Sequence, residues 1–451
     1  MLHFVSAIPG VVWPAIPSPP GATLLSLQAQ FEASQWWPPE RLRAEQLRQL
    51  RLLLVHAHEH VPFYRARFEQ AAFDPRAGVR WDDFCKLPLL TRDDLQVHRD
   101  GLFTRKPLPS HGRLIEGRTS GSTGKPVQYV GTEAAATFVF AVSLRDHLWH
   151  RRDLGAKQAV IRPEFADGHS AGWDNWLRGA LYSGPGATLN IRTPIDGQAR
   201  WLKKHNPVYL VSFPSNIEAL ARHFLERGLA LPRLKQVNTL SEVLKPGLRE
   251  LCREAWGATL TDLYSAKEAG TIALQCPEST RYHVQSEDLL VEILDARGEA
   301  CRPGEPGRVV LTTLHNFAMP LIRYEIGDYA VPGEACPCGR GLPVIERIMG
   351  RSRNLVTLPD GSRHWPSFPS AMWLEIAPIR QFRLTQATLH DIDVELVAAR
   401  ALTPGEGDRL AQALQQSLGY PFNIRLAQVE GIARAANSKF EDFVSLLAES
   451  P

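Results

Sequence analysis

Cysteine is scarce, with six residues in 451. Spread through so long a chain they make no disulfide framework, and a cytoplasmic location is the expectation. An excess of either charge is also lacking: 51 basic against 48 acidic residues leave a net +3. That balance gives no reason to expect a nucleic-acid or membrane partner. No window approaches the roughly 18 uninterrupted apolar residues of a membrane helix. The apolar stretch from Phe4 to Leu25 has no basic start and is broken by Pro9, Pro14, Pro17, Pro19 and Pro20. It is a poor signal peptide and reads as an irregular arm lying on the body. Internal repeats and low-complexity segments are absent. What remains is an ordinary globular composition, 44% hydrophobic and 22% charged, in a chain long enough for two or more domains.

Periodicity supplies the outline. Leu42, Leu47, Leu50, Leu53 and Leu54 recur at helical spacing between charged residues, predicting an amphipathic helix that Pro62 ends. Thr91 followed by Asp94 predicts a capped helix start. Between about 130 and 350, apolar runs such as Val208-Tyr209-Leu210-Val211 alternate with helical stretches, predicting an α/β body. The last hundred residues differ: Ile392, Val394 and Leu396 alternate with acidic residues, a helix follows over 408–418, and Phe422, Ile424 and Leu426 alternate again. This predicts a small separate α+β domain, joined near Gly350-Arg351-Ser352-Arg353-Asn354.

One loop concentrates polar chemistry. Arg118-Thr119-Ser120-Gly121-Ser122-Thr123-Gly124-Lys125-Pro126 sets four hydroxyls, two glycines and a lysine around a potential anion. A P-loop would need glycine where Thr119 stands and a hydroxyl residue where Pro126 stands, so an ordinary P-loop NTPase is excluded. A plain surface turn is the alternative. A second cluster is Tyr264-Ser265-Ala266-Lys267-Glu268-Ala269-Gly270, in which a ring suited to stacking on a base precedes a carboxylate suited to Mg2+. The third is Ile322-Arg323-Tyr324-Glu325-Ile326-Gly327-Asp328, whose aspartate can accept from ribose hydroxyls. Cys276, His283, Cys336 and Cys338 offer a full tetrahedral set for a structural zinc; a redox pair, a buried thiol and a core histidine are the alternative. Cys85, Cys252 and Cys301 read as packed apolar residues.

In order and spacing, the three polar clusters together resemble the adenylate-forming superfamily of acyl-CoA synthetases, most closely its phenylacetate-CoA ligase-like and capsule-locus branch. The resemblance runs from Gln46 through His60-Val61-Pro62-Phe63-Tyr64-Arg65 and Leu87-Pro88-Leu89-Leu90-Thr91, past Met319-Pro320-Leu321-Ile322, to Gly350-Arg351. It implies an α/β fold with a large multi-subdomain adenylation domain over 1–350 and a small mobile α+β domain over 351–451. It implies that Thr119, Ser120, Gly121, Ser122, Thr123, Gly124 and Lys125 cradle phosphates and that Tyr264 packs on adenine. Glu268 would hold Mg2+, Asp328 with Arg351 would bind the ribose, and Glu242 would lie between adenine and the acyl pocket. Lys439, in Asn437-Ser438-Lys439-Phe440, would be the catalytic lysine. Cysteines are common in this branch at the proposed zinc positions.

Departures from the family pattern are visible. Ser265 replaces a glycine, Ser438 replaces another, and Arg353 and Asn354 replace acidic or lysine hinge residues. Lys267 stands where a hydroxyl is usual, to contact the α-phosphate or point to solvent. The segment 358–366 lacks the glycine-rich hairpin that lines the pantetheine tunnel in many relatives. The implied activity is ATP-dependent, AMP-forming activation of an aromatic or other small carboxylic acid, with CoA as leading acceptor. An amine or a carrier-protein thiol is the alternative acceptor, and an inactive nucleotide-binding scaffold the alternative function. Ser212, Phe213 and Pro214 are candidate acyl-pocket residues. The expected partners are the acid and its acceptor, with a homodimer left open.

Overall fold

The computed structural model describes residues 2–119, 127–366, 368, 373, 375–432 and 440–447. Its strands, in chain order, are β1 Leu114–Arg118, β2 Gln128–Thr132, β3 Gln158–Arg162, β4 Gly168–Ser170, β5 Gly186–Asn190, β6 Tyr209–Ser212 and β7 Gln236–Leu240. They continue with β8 Thr259–Ala266, β9 Gly270–Gln275, β10 Tyr282–Val284, β11 Leu289–Leu294, β12 Gly307–Thr313, β13 Tyr324–Pro332 and β14 Val344–Arg351. The C-terminal strands are β15 Val356–Thr357, β16 Arg363–His364, β17 Ile379–Gln386, β18 Asp391–Ala398, β19 Asn423–Gln428 and β20 Phe443–Ser445.

Among the described residues, twelve strands form one sheet in the order β11-β12-β13-β14-β10-β9-β8-β7-β6-β3-β5-β4. Strands β5, β3, β6, β7 and β8 run parallel. Each parallel step from β5 to β8 needs a crossover, supplied by helices Ile195–His205, Pro214–Glu226 and Leu248–Trp256. Ile217, Leu220 and Phe224 bury one such helix against Ala159, Leu210 and Val237 of the sheet. The opposite face is covered by helices Pro19–Ser34 and Glu133–Trp149. Beyond β8 the pairing turns antiparallel, so the carboxyl end of β8 is where two sheet styles meet.

The expected helix occupies Pro39–His60, and Thr91 and Asp94 form a reciprocal capping box. The N-terminal arm is only partly irregular, because residues 19–34 are helical. Ser18 caps that helix, and Pro19 and Pro20 fill the first turn, where a missing N–H costs nothing. No helix among the described residues is long and apolar enough to cross a membrane.

A smaller C-terminal domain follows β14. Its sheet, ordered β19-β18-β17-β20, carries helix Pro404–Leu418. Ile392, Val394 and Leu396 point from β18 into a core shared with Leu410, Leu414 and Leu418, as the alternation predicts.

Candidate active site

The second and third polar clusters meet where the parallel strands end, the usual ligand-binding edge of an open α/β sheet. Strand β7 ends at Leu240, and Ser241 then adopts φ 71°, a left-handed conformation that costs a non-glycine residue energy. This turn is followed by Glu242. One oxygen of Glu242 accepts from the Ser215 amide at 3.0 Å, at the start of helix Pro214–Glu226, and the other accepts from the Phe440 amide at 2.7 Å. A helix N-terminus offers free N–H groups and the positive end of its dipole, which suits a carboxylate.

Strand β8 delivers Tyr264. Its buried phenol donates to Asp328 Oδ2 at 2.9 Å, and Arg351 Nε lies 3.2 Å from Asp328 Oδ1. Asp328 and Arg351 are cross-strand partners on β13 and β14, so their meeting follows from the register. Burial first, then the Asp328 charge, raises the Tyr264 pKa well above its ordinary value, keeping it a donor. Arg351 keeps its proton more strongly than usual: burial opposes this, but Asp328, Glu268 and Glu441 outweigh it.

Glu268 lies on the turn between β8 and β9, and Tyr324 donates to its Oε1 at 3.4 Å. The turn packs tightly, since a Cβ on Gly270 would come within 2.7 Å of Val139. Tyr129 titrates higher than usual, through burial and then the nearby Glu268 charge. That proximity brings strand β2 of the polar loop's hairpin close to the carboxylate. The neck of the loop is closed by Thr119, whose N–H donates to the Val127 carbonyl at 2.8 Å and whose Oγ1 accepts from the Val127 amide at 2.8 Å. Ser120, Gly121, Ser122, Thr123, Gly124 and Lys125 lie outside the described residues, as does Lys439. Lys267 is exposed.

The acyl-pocket expectation needs correction. Ser212 is fully buried, donates to the Ile161 carbonyl at 2.7 Å and accepts from Asn216 at 3.1 Å. Phe213 packs in the core with Ile217 and Leu220. Strand parity turns the Ser212 side chain toward the crossover helices, so it does not line a pocket.

Residues that sequence reasoning left unassigned complete the surroundings. Arg353, read as a departure, pairs with Glu441 at 2.7 Å, and Asn354 donates to the Phe443 carbonyl at 2.7 Å. Lys245 lies 3.1 Å from Glu218 and 2.8 Å from Asp442. Beneath Tyr264, buried Asp262 accepts from Tyr282 at 2.7 Å and Thr239 at 2.6 Å. Burial pushes its pKa up to about 6 despite those bonds.

Cys276, His283, Cys336 and Cys338 do converge, with their ligand atoms all within 4.8 Å of one another. Tetrahedral Zn–S bonds of about 2.3 Å imply sulfur-to-sulfur edges of about 3.8 Å. Cys336 Sγ stands 3.8 Å from Cys276 Sγ, and Cys338 Sγ 3.3 Å from His283 Nε2. The His283 Nδ1 faces the Leu342 carbonyl at 3.4 Å, which leaves Nε2 for a ligand role. Burial lowers the His283 pKa to about 4, so the imidazole is neutral near pH 7, the form that binds metals. The four side chains therefore fit zinc. They join the end of the β9–β10 hairpin to the turn between β13 and β14. Of the other cysteines, Cys252 is buried, whereas Cys85 and Cys301 are half-buried.

No family model matches the chain. It is 29% identical over 356 residues to the phenylacetate-coenzyme A ligase of Thermus thermophilus, covering 76% of this chain and 77% of that one. Among solved structures it resembles a 2-hydroxyisobutyryl-CoA ligase in its postadenylation state, in complex with 2-HIB-AMP. That match has a TM-score of 0.73 at 20% identity and covers 91% of each chain. The same ligase in its thioesterification state, at equal coverage and identity, gives a TM-score of 0.59.

Proposed function

We propose that this chain, a homologue of the phenylacetate-coenzyme A ligases with the adenylate-forming CoA ligase fold, activates a carboxylic acid with ATP and transfers the acyl group to coenzyme A. In the first half-reaction a carboxylate oxygen attacks the α-phosphorus of ATP. The bond to the pyrophosphate bridging oxygen breaks, giving acyl-adenylate and pyrophosphate. In the second, the CoA sulfur attacks the acyl carbon, AMP leaves with its oxygen, and the thiol proton passes to solvent.

The observation that carries this reading is the convergence of Tyr264, Glu268, Asp328 and Arg351 at the carboxyl end of β8. In this assignment Tyr264 backs the adenine, while Asp328 and Arg351 take the ribose hydroxyls. The loop from Thr119 to Lys125 grips the β- and γ-phosphates. Glu268, an oxygen donor suited to a hard cation, would hold Mg2+, which supplies charge neutralisation at the phosphates. Lys439 offsets negative charge that builds at the α-phosphate. Lys267, exposed in this arrangement, would reach the α-phosphate only with ATP bound. The Cys276, His283, Cys336 and Cys338 set would hold a structural zinc. The acid is aromatic or otherwise small, and the location is cytoplasmic.

The division at residue 350 makes 351–451 the mobile part, turning about 350–354 between half-reactions. A turn of this kind would shield the labile adenylate from water and then admit the acceptor. The higher similarity to a postadenylation state than to a thioesterification state supports a lobe arrangement on the adenylation side. Mass spectrometry of products formed with ATP, a panel of small acids and separate CoA and amine acceptors tests the proposal. Acyl-CoA and AMP are expected; an acyl amide formed in place of the thioester would overturn the choice of acceptor.

A further inference from the structure

The first four residues that follow Lys439 in sequence, 440–443, are each held in place. The Phe440 amide donates to Glu242 at 2.7 Å, and the Glu441 carboxylate meets Arg353 at 2.7 Å. The Asp442 carboxylate meets Lys245 at 2.8 Å, and the Phe443 carbonyl accepts from Asn354 at 2.7 Å. Glu441 and Phe443 thus face the hinge, whereas Phe440 and Asp442 are tied to the large lobe.

The large-lobe anchors form a regular pattern. Ser215 and Glu218 lie one turn apart on helix Pro214–Glu226, and Glu242 and Lys245 lie three apart on the segment after β7. Ser215 binds Glu242, which binds Phe440. Glu218 binds Lys245, which binds Asp442. Glu218 is braced further by Arg222 at 3.0 Å. The Lys245 ammonium also lies over the rings of Phe382 and Phe440, 5.5 and 6.0 Å from their centroids. Two parallel chains of contact therefore run from the helix, through the segment after β7, to the C-terminal strip beside Lys439.

We propose that Glu242 and Lys245 are positioning residues for the first half-reaction, docking residues 440–442, which follow the assigned catalytic Lys439 in sequence, against the large lobe during adenylation. The proposal rests on the acyl-adenylation reading. A rotation that withdraws the small domain must break both contacts, so they act in adenylation and are released for thioester formation. Glu242 suits this duty because its two oxygens serve two backbone amides at once, a bridge that a glutamine, with one acceptor oxygen, cannot reproduce. Lys245 separates Glu218 from Asp442, and its loss leaves two half-buried carboxylates facing each other.

The test separates the half-reactions in the full-length protein. ATP–pyrophosphate exchange reads adenylation with the acid most active in the wild type. The synthetic acyl-adenylate of that acid, supplied with CoA, reads thioester formation alone. Glu242→Gln and Lys245→Met are each expected to lower exchange at least about tenfold, and Lys245→Met to leave thioester formation within about twofold of wild type. Asp442→Asn tests the same chain from the small domain, should either large-lobe variant fold poorly, and is expected to show the same split. Double variants of Lys245 and Asp442 are expected to be no worse than the single ones, as for partners in one contact. Unchanged exchange, or a parallel loss of both half-reactions in folded Lys245→Met protein, would overturn the inference. Wild-type protein inactive in exchange with every acid would instead overturn the adenylation reading on which it rests.

Discussion

Tyr264 donates its phenol proton to Asp328 Oδ2 at 2.9 Å, while Arg351 holds the other oxygen at 3.2 Å. Three strands, β8, β13 and β14, thus meet at one carboxylate. Asp328→Ala leaves the buried Tyr264 hydroxyl without this acceptor and removes the first of the acidic partners of Arg351, with Glu268 and Glu441 remaining. Losing hydrogen bonds to a charged group costs about 1.5–3 kcal/mol each. The expected outcome is a rise of at least about tenfold in the KM for ATP, with a smaller change in the KM for CoA. Steady-state kinetics with each substrate varied in turn checks this.

Lys439 is assigned to the α-phosphate in the first half-reaction only. Lys439→Ala is expected to lower acyl-adenylate formation by about a hundredfold, the scale of removing one charge-stabilising group. It should spare thioester formation from supplied acyl-adenylate. Rapid-quench measurement of the two steps distinguishes this from a general loss of activity.

The Cys276, His283, Cys336 and Cys338 set is expected to bring about one zinc per chain through purification without chelator, as four protein ligands close a structural site. Cys336→Ser should lose the metal and lower the unfolding temperature by several degrees. Elemental analysis paired with thermal melts checks both outcomes. Metal-free wild-type protein with unchanged stability would contradict the assignment.

Asp262 gives a pH dependence with a definite sign. Its folded pKa, about 6, stands above the ordinary 3.8. The folded state therefore holds its proton more tightly, so the stability that this group contributes is greatest below about pH 4 and is lost as pH rises through 6. The shift corresponds to a change on the order of 3 kcal/mol. Asp262→Asn is uncharged throughout and lacks one acceptor oxygen. Its stability relative to wild type is expected to improve by that amount between pH 4 and pH 7. Denaturant titrations across the range measure it.

Periodicity and local chemistry made part of this architecture legible. Helix Pro39–His60, the Thr91–Asp94 capping box and the inward face of β18 each rest on residues a few positions apart, where spacing dictates geometry. The grouping of Cys276, His283, Cys336 and Cys338 was legible for a different reason, because their chemistry restricts what they can do together. Ser212 was misread because a strand segment does not reveal which face meets the helices. The arm was misread because consecutive prolines mark a helix start as readily as a break. Arg353 and Asn354 looked like losses at the hinge until Glu441 supplied the missing acidic partner from a distant part of the chain. The contacts of Glu242 and Lys245 with the C-terminal strip were equally hidden, since they depend on how two domains meet.

The central claim is acyl adenylation at the carboxyl end of β8, and exchange of radiolabelled pyrophosphate into ATP measures it directly. Folded, full-length protein with Mg2+ and a panel of small aromatic and aliphatic acids should support exchange that depends on at least one acid and needs no CoA. Absence of acid-dependent exchange across the panel would contradict the account.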